Sequence, residues 1–437
     1  MLGVINTMFR EIIVSLFVKR LKPYLKEMLA SGSRVNEAKE KQYWYPLGLA
    51  SYDVEEIIEA IDSMTSFRTS MSEKTELFEK NFSHWQGCTH SVMVNSGSSA
   101  NLTLALLLTN PIKPLINKGS KVLVPAVTWP TQVWSLMMAG LEPEFVDINP
   151  CTLNIDLDDL ERKITPEVKA ISLVHLMGNP CEMDKILEIA RKHKLIVIED
   201  CAEALGATWE GTKVGNFGIG SSFSFFFSHH ITSMEGGMIC VNEEEFSDHL
   251  KIMRTHGWTR NVNQDKFPLD DFAEIDKRYA FVNWGLNTKP TEVQAAFGLK
   301  QLEKVDIFTQ KRSQLSDYFF SFLYKYEFFE KIIVHKKAEA SWLGLPILVK
   351  ESAPFAAKEL INYLEESGVE TRPILTGNLL RQPVSRSFFP TISPSDFKGA
   401  EYIHNNGLYI GLSPFITDDV IERLKETFES FLVKYGH

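Results

Sequence analysis

Residues 90–109 read HSVMVNSGSSANLTLALLLT, and this stretch decides the fold. Residues 90–97 predict a short buried strand that ends at a glycine. A helix at 98–109 is predicted to begin directly after that glycine. A buried strand that passes straight into a helix is typical of sheets that helices cover on both faces.

The same alternation of strands and helices continues along the chain. Further buried strands are predicted at 121–125, 142–148, 170–176 and 195–200, with helices at 73–85 and 181–194. This pattern predicts the α/β class, with a parallel or mixed sheet between layers of helices.

After a long helix predicted at 292–323, the pattern changes to a mixture of strands and helices, at 344–349, 354–368 and 417–435. We therefore expect three parts: an N-terminal amphipathic arm, a large domain and a smaller α+β C-terminal domain, at 1–42, 43–310 and 311–437. A chain of 437 residues is long enough for two domains.

Composition excludes several classes of protein. The net charge of −10 and the absence of a basic, aromatic-rich stripe argue against a protein that binds nucleic acid in general. The five cysteines lie far apart, at 88, 151, 181, 201 and 240, which fits neither a disulfide framework nor a zinc or iron–sulfur site. A reducing cytoplasm is the expected location.

The N-terminal segment MLGVINTMFREIIVSLFVKRLKPYLKEML has apolar residues at roughly helical spacing, with Lys and Arg between them. It lacks a long uninterrupted apolar span and a cleavage site, so we predict neither a signal peptide nor a transmembrane helix. An amphipathic helix packed on the protein or on a neighbouring subunit is favoured. Contact with a membrane surface through residues 1–30 is the less favoured alternative.

Polar residues at the predicted strand ends are the first candidates for a site. Gly97 and Ser98 stand where a helix begins, which suits a phosphate group but also suits a simple helix cap. Asp200 ends a buried strand and needs a partner, either a ligand nitrogen or an arginine. Trp129 follows the strand at 121–125, where its ring would stack on a ligand or pack in the core.

The stretch 221–242, SSFSFFFSHHITSMEGGMICVN, carries two adjacent histidines, His229 and His230, five residues after Ser224. Neighbouring histidines rarely bind one ion well, and no further histidine or cysteine stands at a suitable spacing nearby. We therefore predict no metal site.

Taken in this order, these motifs resemble the DegT/DnrJ/EryC1/StrS sugar aminotransferases, which have the type I fold of pyridoxal phosphate (PLP) enzymes. The resemblance runs from 45–50 through 293–298, and more weakly to the C-terminus. It implies that Asp200 pairs with the pyridine nitrogen and that Trp129 stacks on the cofactor ring. It also implies a homodimer in which the phosphate contacts are Gly97, Ser98, Ser224 and, from the neighbouring subunit, Asn287.

The sequence departs from the family pattern at the lysine that holds the cofactor covalently. The usual S-F-x-x-x-K is here Ser224-Phe225 followed by His229, and the acidic Glu203 replaces the usual Gln or His. Both departures resemble the 3-dehydratase subgroup, which acts on nucleotide-linked 4-keto-6-deoxyhexoses in deoxysugar and lipopolysaccharide biosynthesis. The scattered cysteines favour the branch of this subgroup that needs no iron–sulfur cluster.

The resemblance implies that pyridoxamine phosphate is the working form of PLP and that L-glutamate regenerates it. His229 would serve as base and then as acid, with Glu203 as its partner or as a bystander. His175 and Arg372 are weaker candidates for substrate contacts, and His175 fits a structural role at least as well.

Two alternatives remain at this point. One is an aminotransferase that works without the usual lysine and binds PLP non-covalently. Lys213 and Lys289 are the lysines nearest to the motifs, but nothing in the sequence marks either as a substitute. The other is a non-catalytic subunit of the PLP fold that binds a sugar nucleotide or a partner.

Overall fold

The computed structural model describes residues 17–29, 43–267, 269, 272 and 274–435. In chain order the strands are β1 (His90–Val94), β2 (Lys121–Pro125), β3 (Glu142–Val146), β4 (Val168–Val174), β5 (Ile196–Asp200), β6 (Thr208–Trp209), β7 (Thr212–Lys213), β8 (Gly220–Ser224), β9 (Gly237–Val241), β10 (Ala338–Glu339), β11 (Gly344–Leu348), β12 (Thr371–Arg372) and β13 (Gly407–Gly411).

The helices are α1 (17–29), α2 (Val54–Thr65), α3 (Glu73–Gln86), α4 (Gly97–Leu108), α5 (Pro130–Met138), α6 (Leu157–Arg162), α7 (Met183–His193), α8 (Glu244–Met253), α9 (Glu292–Leu302), α10 (Val305–Leu323), α11 (Ala357–Glu366), α12 (Pro383–Phe388), α13 (Lys398–Asn406) and α14 (Asp418–Leu432). The strands and helices predicted between residues 73 and 200 are all present, with ends that differ by a few residues.

Seven strands form one sheet in the order β1-β9-β8-β5-β4-β2-β3. Strand β9 runs antiparallel to both of its neighbours, and every other neighbouring pair in this sheet is parallel. The carboxyl ends of β1, β2, β4, β5 and β8 therefore lie at one edge. The predicted α/β class and the mixed, mostly parallel sheet are confirmed.

Side chains along β1 alternate between the two faces of this sheet, as the period of a strand requires. Val92 and Val94 pack in one apolar cluster with Leu104 of α4, whereas Met93 packs in another cluster with Phe78 of α3. All five side chains are buried. Each such side chain stabilises the fold by about 1.5–3 kcal/mol, so both faces of the sheet contribute to the core.

The two smaller sheets have the orders β11-β13-β12 and β10-β6-β7, and all of their pairings are antiparallel. The sheet of β11, β12 and β13 lies in the part of the chain predicted to form the C-terminal domain. The boundary predicted at residue 310 falls inside α10. The division into domains at 43–310 and 311–437 stays a prediction.

The single helix predicted over 292–323 is wrong, because the chain breaks into α9 and α10 at residues 303–304. At this break Gln301 Nε2 and Lys304 Nζ both donate to Oε1 of Glu56 in α2, at 2.7 and 2.6 Å. Glu56 is fully buried. The break thus accompanies a tertiary interaction, and neither Gly nor Pro marks it in the sequence.

The predicted amphipathic arm covers residues 1–42, of which 1–16 and 30–42 lie outside the described residues. The described portion is helical, as predicted, and Lys22 Nζ lies 2.9 Å from Glu55 Oε1 of α2. None of the helices in the described part of the chain is both long and apolar enough to cross a membrane.

Candidate active site

The turn from β1 into α4 lies directly against the end of β8. A Cβ atom added to Gly97 would lie 2.6 Å from Cβ of Ser224 and 2.8 Å from its Oγ, so a larger residue does not fit. The Ser96 side chain caps α4 by accepting a hydrogen bond from the Ser99 amide, and Ser98 is exposed. The beginning of α4 therefore lies directly beside the Ser224 hydroxyl, an arrangement that favours an anion such as a phosphate.

Asp200 is buried at the end of β5 and accepts two hydrogen bonds. Asn101 Nδ2 donates to Oδ2 at 2.8 Å, and the Ala202 amide donates to Oδ1 at 3.0 Å. Ser222 in turn donates to Asn101 Oδ1 at 2.6 Å. Burial raises the pKa of Asp200, and the donors from Ala202 and Asn101 lower it. A cationic ligand nitrogen beside this carboxyl would favour its charged form.

Asn101 received no role from sequence reasoning, although it lies within the quoted motif. Its position four residues after Gly97 on α4 places it on the same side of that helix. Helical spacing from the glycine was therefore the signal that would have identified it.

Trp129 follows β2 and precedes Pro130, the first residue of α5. Its side chain is 55% exposed, so the indole ring is not part of the core. Of the two roles considered for Trp129, the exposure argues against packing in the core. The face of the ring is available for stacking at the edge of the sheet where the parallel strands end.

Asn287 and Arg372, two further predicted contact residues, are both exposed. The carbonyl of Thr288, next to Asn287, accepts a hydrogen bond from the Asn95 amide at 2.9 Å, close to the beginning of α4. Arg372 Nη2 donates to Glu370 Oε1 at 2.6 Å. The roles assigned to Asn287 and Arg372 stay predictions.

His229 lies in the turn between β8 and β9, and its ring is oriented by one strong hydrogen bond. Nδ1 lies 2.6 Å from the carbonyl oxygen of Ala202. Because a carbonyl can only accept, Nδ1 carries the ring proton and Nε2 carries the lone pair. Burial, and to a lesser degree the charge of Arg312, lowers the pKa of His229 to about 4. Nε2 is therefore an unprotonated base at neutral pH.

His230 is fully buried, and its ring is directed away from Ala202. Its Nε2 lies 2.9 Å from the carbonyl of Ser341, just before β11. The two adjacent histidines thus bind different carbonyls and do not converge on one point.

Glu203 is buried three residues after Asp200, and its Oε2 accepts a hydrogen bond from the Met177 amide at 2.8 Å. Burial, with a smaller contribution from the charge of Asp200, raises the pKa of Glu203 to about 8. Its carboxyl group therefore holds a proton at neutral pH and is able to donate it in a hydrogen bond.

His175 is fully buried after β4 and uses both ring nitrogens within the protein. Nδ1 accepts a hydrogen bond from the Cys181 amide at 3.0 Å, so Nε2 carries the proton and donates to Glu199 Oε2 at 3.1 Å. Glu199 also accepts hydrogen bonds from the amides of Gly215, Phe217 and Gly218. This geometry favours the structural role for His175.

One group of side chains has the composition of a metal site. Atoms of His175, Glu199 and Cys201 lie within 4.8 Å of one another, and all three residues are buried. The hydrogen bonds described above already use both oxygens of Glu199 and both ring nitrogens of His175. We therefore interpret the group as an internal hydrogen-bond network.

Of the two lysines considered as substitutes for the family lysine, Lys213 is engaged elsewhere. Its Nζ donates to the carbonyl of Trp85 and lies 4.1 Å from the centre of the Trp85 ring. Lys289 is partly buried, and burial, with the charges of Arg254 and Arg260, lowers its pKa.

The residues at this edge fit a PLP cofactor in three respects. The close contact between Gly97 and Ser224, which only a glycine allows, would suit a phosphate. Trp129 offers an exposed aromatic face, and Asp200 offers a carboxyl group for a ring nitrogen. Each requirement of the cofactor is thus matched by a residue of suitable chemistry. The position of His229 at the site of the covalent lysine stays a prediction from the sequence pattern.

Comparisons with known proteins give the relationship directly. The family model for the DegT/DnrJ/EryC1/StrS aminotransferase family matches residues 51–429. GDP-4-keto-6-deoxy-D-mannose 3-dehydratase of Yersinia pseudotuberculosis is 37% identical over 389 residues, which cover 88% of this chain and 97% of that protein.

Solved structures agree with this result. E coli GDP-4-keto-6-deoxy-D-mannose-3-dehydratase with bound hydrated PLP has a TM-score of 0.82 and 34% identity, and the match covers 88% of this chain and 99% of that one. The structure of GDP-4-keto-6-deoxymannose-3-dehydratase with a trapped PLP-glutamate geminal diamine has a TM-score of 0.80 at the same identity and coverage. The chain therefore belongs to the DegT/DnrJ/EryC1/StrS aminotransferase family.

Proposed function

We propose that this protein is a PLP-dependent 3-dehydratase, which removes the 3-hydroxyl group of a nucleotide-linked 4-keto-6-deoxyhexose and uses L-glutamate as the amino donor. The single observation that carries the proposal is the oriented imidazole of His229 at the position of the family lysine. Imidazole cannot bind the cofactor covalently as a lysine does, but it can still transfer protons. The similar proteins reported above are named as 3-dehydratases, which supports the same reaction.

Five residues of one subunit would hold the cofactor, together with Asn287 of the neighbouring subunit. The amides of Gly97 and Ser98 and the hydroxyl of Ser224 suit its phosphate, Trp129 suits its ring, and Asp200 would keep the ring nitrogen protonated. When bound, the cofactor supplies an electron sink beside the sugar.

His229 would perform the proton transfers through Nε2. The hydrogen bond from Nδ1 to Ala202 keeps the ring in one tautomer, so Nε2 is ready to accept a proton. The protonated ring would then donate to the C3 oxygen as it leaves as water. A positioned acid or base contributes about 10²–10⁴-fold to rate. Glu203, which is protonated at neutral pH, would contribute a fixed hydrogen-bond donor in the same site.

The overall reaction balances without a redox metal. The sugar loses its C3 oxygen and gains two electrons, L-glutamate loses two electrons and becomes 2-oxoglutarate, and ammonia is released. The departing C3 oxygen supplies one water, and hydrolysis of the carbon–nitrogen bond consumes one.

A homodimer with shared active sites is part of the proposal. Exposed large apolar side chains flank Asn287 in the chain, among them Tyr279, Phe281 and Leu286. Such side chains often mark an interaction surface, which supports contact between two copies here. The contact between Lys22 and Glu55 supports the packing of the N-terminal arm on the protein.

We further propose a cytoplasmic location and a role in surface-glycan biosynthesis, because the substrate would be a nucleotide sugar. All five cysteines are free thiols, which supports a reducing compartment. The net charge of −10 supports the expectation that nucleic acid is not a partner.

The test is an assay with GDP-4-keto-6-deoxymannose, PLP and L-glutamate, read by product mass and by ammonia release. A product that has lost one oxygen atom, with equimolar ammonia, is expected. An amino sugar without ammonia would establish transamination instead. The Asp200→Asn variant serves as the control, because it keeps the shape of the site and loses the charge that pairs with the ring nitrogen.

A chain that binds PLP but does not turn over this sugar would next be given CDP-, UDP- and dTDP-linked 4-keto-6-deoxyhexoses. If PLP produces no change in absorbance and none of these sugars is consumed, the non-catalytic alternative is correct.

A further inference from the structure

Arg312 of α10 is a buried arginine without an acidic partner among the described residues. Its side chain is 5% exposed, its Nη1 donates to the carbonyl of Leu343 at 2.8 Å, and its Nη2 lies 3.5 Å from the carbonyl of His229. Its Nε has no hydrogen-bond partner in the described part of the chain. A buried charge is costly unless it is paired, so this arrangement needs a cause other than packing.

The contacts of Arg312 connect the turn of His229 and His230 to the segment that precedes β11. In that segment, Ser341 accepts a hydrogen bond from His230 and Leu343 accepts one from Arg312. The amides of the same two residues donate to the carbonyls of residues 178 and 177, at 3.0 Å each. The turn is thus held from α10 and from the segment before β11, and Arg312 contacts both the turn and this segment.

Arg312 is also the charged group that acts on His229. Burial lowers the pKa of Arg312 to about 10, so the guanidinium remains charged at neutral pH. After burial itself, its positive charge lowers the pKa values of His229 and His230. Glu203, three residues after the end of β5, is held neutral at neutral pH chiefly by burial. The pKa of His229 is thus set by burial, by the hydrogen bond to Ala202 and by the charge of Arg312.

We propose that Arg312 is a positioning residue for His229, which holds the backbone of the base and opposes a second proton on its ring. The proposal rests on the proposed function, because it takes Nε2 of His229 as the base. In this proposal, the unfavourable free energy of burying the guanidinium is tolerated because Arg312 keeps the base fixed and neutral.

The test compares Arg312→Met with Arg312→Lys and reads the protonation of His229 in the full chain without substrate. Hydrogen–deuterium exchange at Cε1 of each histidine, followed by mass spectrometry across a pH series, gives a pKa for each ring. Loss of the charge in Arg312→Met should raise the pKa of His229 by about one unit. The control is Lys311→Met, which removes an exposed cation from the neighbouring position of α10 and should leave His229 unchanged.

Arg312→Lys keeps the charge but cannot reach two carbonyls with a planar group. We expect the pKa of His229 to stay near its wild-type value while the dehydration rate falls about tenfold, since a positioning residue acts through geometry. If Arg312→Met does not fold, Arg312→Gln removes the charge and keeps a hydrogen-bonding group, and the same shift is expected.

An unchanged His229 pKa in the folded neutral variant would overturn the electrostatic part of the proposal, and a wild-type rate for Arg312→Lys would overturn the positioning part. Failure of the proposed function is recognised separately, because the wild-type chain would then release no ammonia from any sugar, whatever the exchange data show.

Discussion

The ring of His229 is held by the backbone carbonyl of Ala202, two residues beyond Asp200. Nδ1 of His229 lies 2.6 Å from the carbonyl oxygen of Ala202. The end of β5 therefore carries the carboxyl group expected to face the cofactor and also orients the base. Because Nδ1 must donate to this carbonyl, the free electron pair of the imidazole lies on the opposite nitrogen. One strand end thus fixes both the position and the tautomer of the proposed base.

His229→Lys should restore the covalent bond to PLP that the family lysine makes. We expect the bound cofactor to resist dialysis and its visible absorption to change, while dehydration falls at least about a hundredfold. Spectra before and after dialysis, with an ammonia assay, measure both effects. His84→Lys, on the exposed surface of α3, is the matched control. Undiminished dehydration in His229→Lys would remove His229 from the mechanism.

Gly97→Ala should weaken PLP binding, because the added methyl group would lie 2.6 Å from Cβ of Ser224. We expect at least a tenfold increase in the dissociation constant, equivalent to about 1.4 kcal/mol or more. Titration of the apoprotein with PLP measures it. The double variant Gly97→Ala with Ser224→Gly removes the clash and should regain part of the affinity lost by the single variant. Wild-type affinity in the single variant would contradict the phosphate cradle.

Glu203→Gln should change how stability depends on pH. The pKa of Glu203 is raised to about 8 in the folded protein, whereas in the unfolded chain it returns to about 4.3. The protonated Glu203 therefore contributes its full stabilisation at pH values below the pKa of the unfolded chain. This contribution is lost as the pH rises towards 8. Glutamine does not titrate, so its contribution to stability is constant over this pH range. The free energy of unfolding of the variant, relative to that of wild type, should therefore rise by up to roughly 4 kcal/mol between about pH 5 and pH 8.

Urea unfolding at several pH values measures this difference. The control is Glu426→Gln, which changes an exposed glutamate of α14. The difference between its free energy of unfolding and that of wild type should not change with pH. A flat difference for Glu203→Gln as well would mean that Glu203 is ionised in the folded protein.

His175→Asn distinguishes a structural histidine from a substrate contact. The shorter side chain leaves the buried Cys181 amide without its acceptor and removes one of the donors to Glu199. The unsatisfied amide should cost about 1–3 kcal/mol of stability. We expect a lower midpoint of urea unfolding and an unchanged KM for the sugar in the folded variant. A raised KM at wild-type stability would assign His175 to substrate binding.

The sequence predicted the sheet well because its strands are continuous apolar runs that end in polar residues. Asp200, Ser224 and Gly97 were found at strand ends, where the topology of a parallel sheet brings ligand contacts together. The break between α9 and α10 was not predictable, since it accompanies the hydrogen bonds from Gln301 and Lys304 to a buried carboxylate in another helix.

The supporting residues of the site were also beyond the reach of local patterns. Ala202 acts through its backbone carbonyl, and because every residue has one, the residue type gives no signal of this role. Arg312 has a position on α10 that looks like that of any polar residue until the packing of the segment before β11 is known. Such residues become visible only when elements distant in sequence are placed together.

The proposed phosphate cradle combines Gly97 after β1 with Ser224 at the end of β8, and β9 lies between these strands. Its parts are distant in the sequence, and the antiparallel strand that separates them is the last of the sheet to be synthesised. A partly folded chain therefore lacks the cradle. PLP should stabilise the finished protein against unfolding by mass action, yet it should not accelerate refolding, because nothing on the pathway before the complete sheet can bind it.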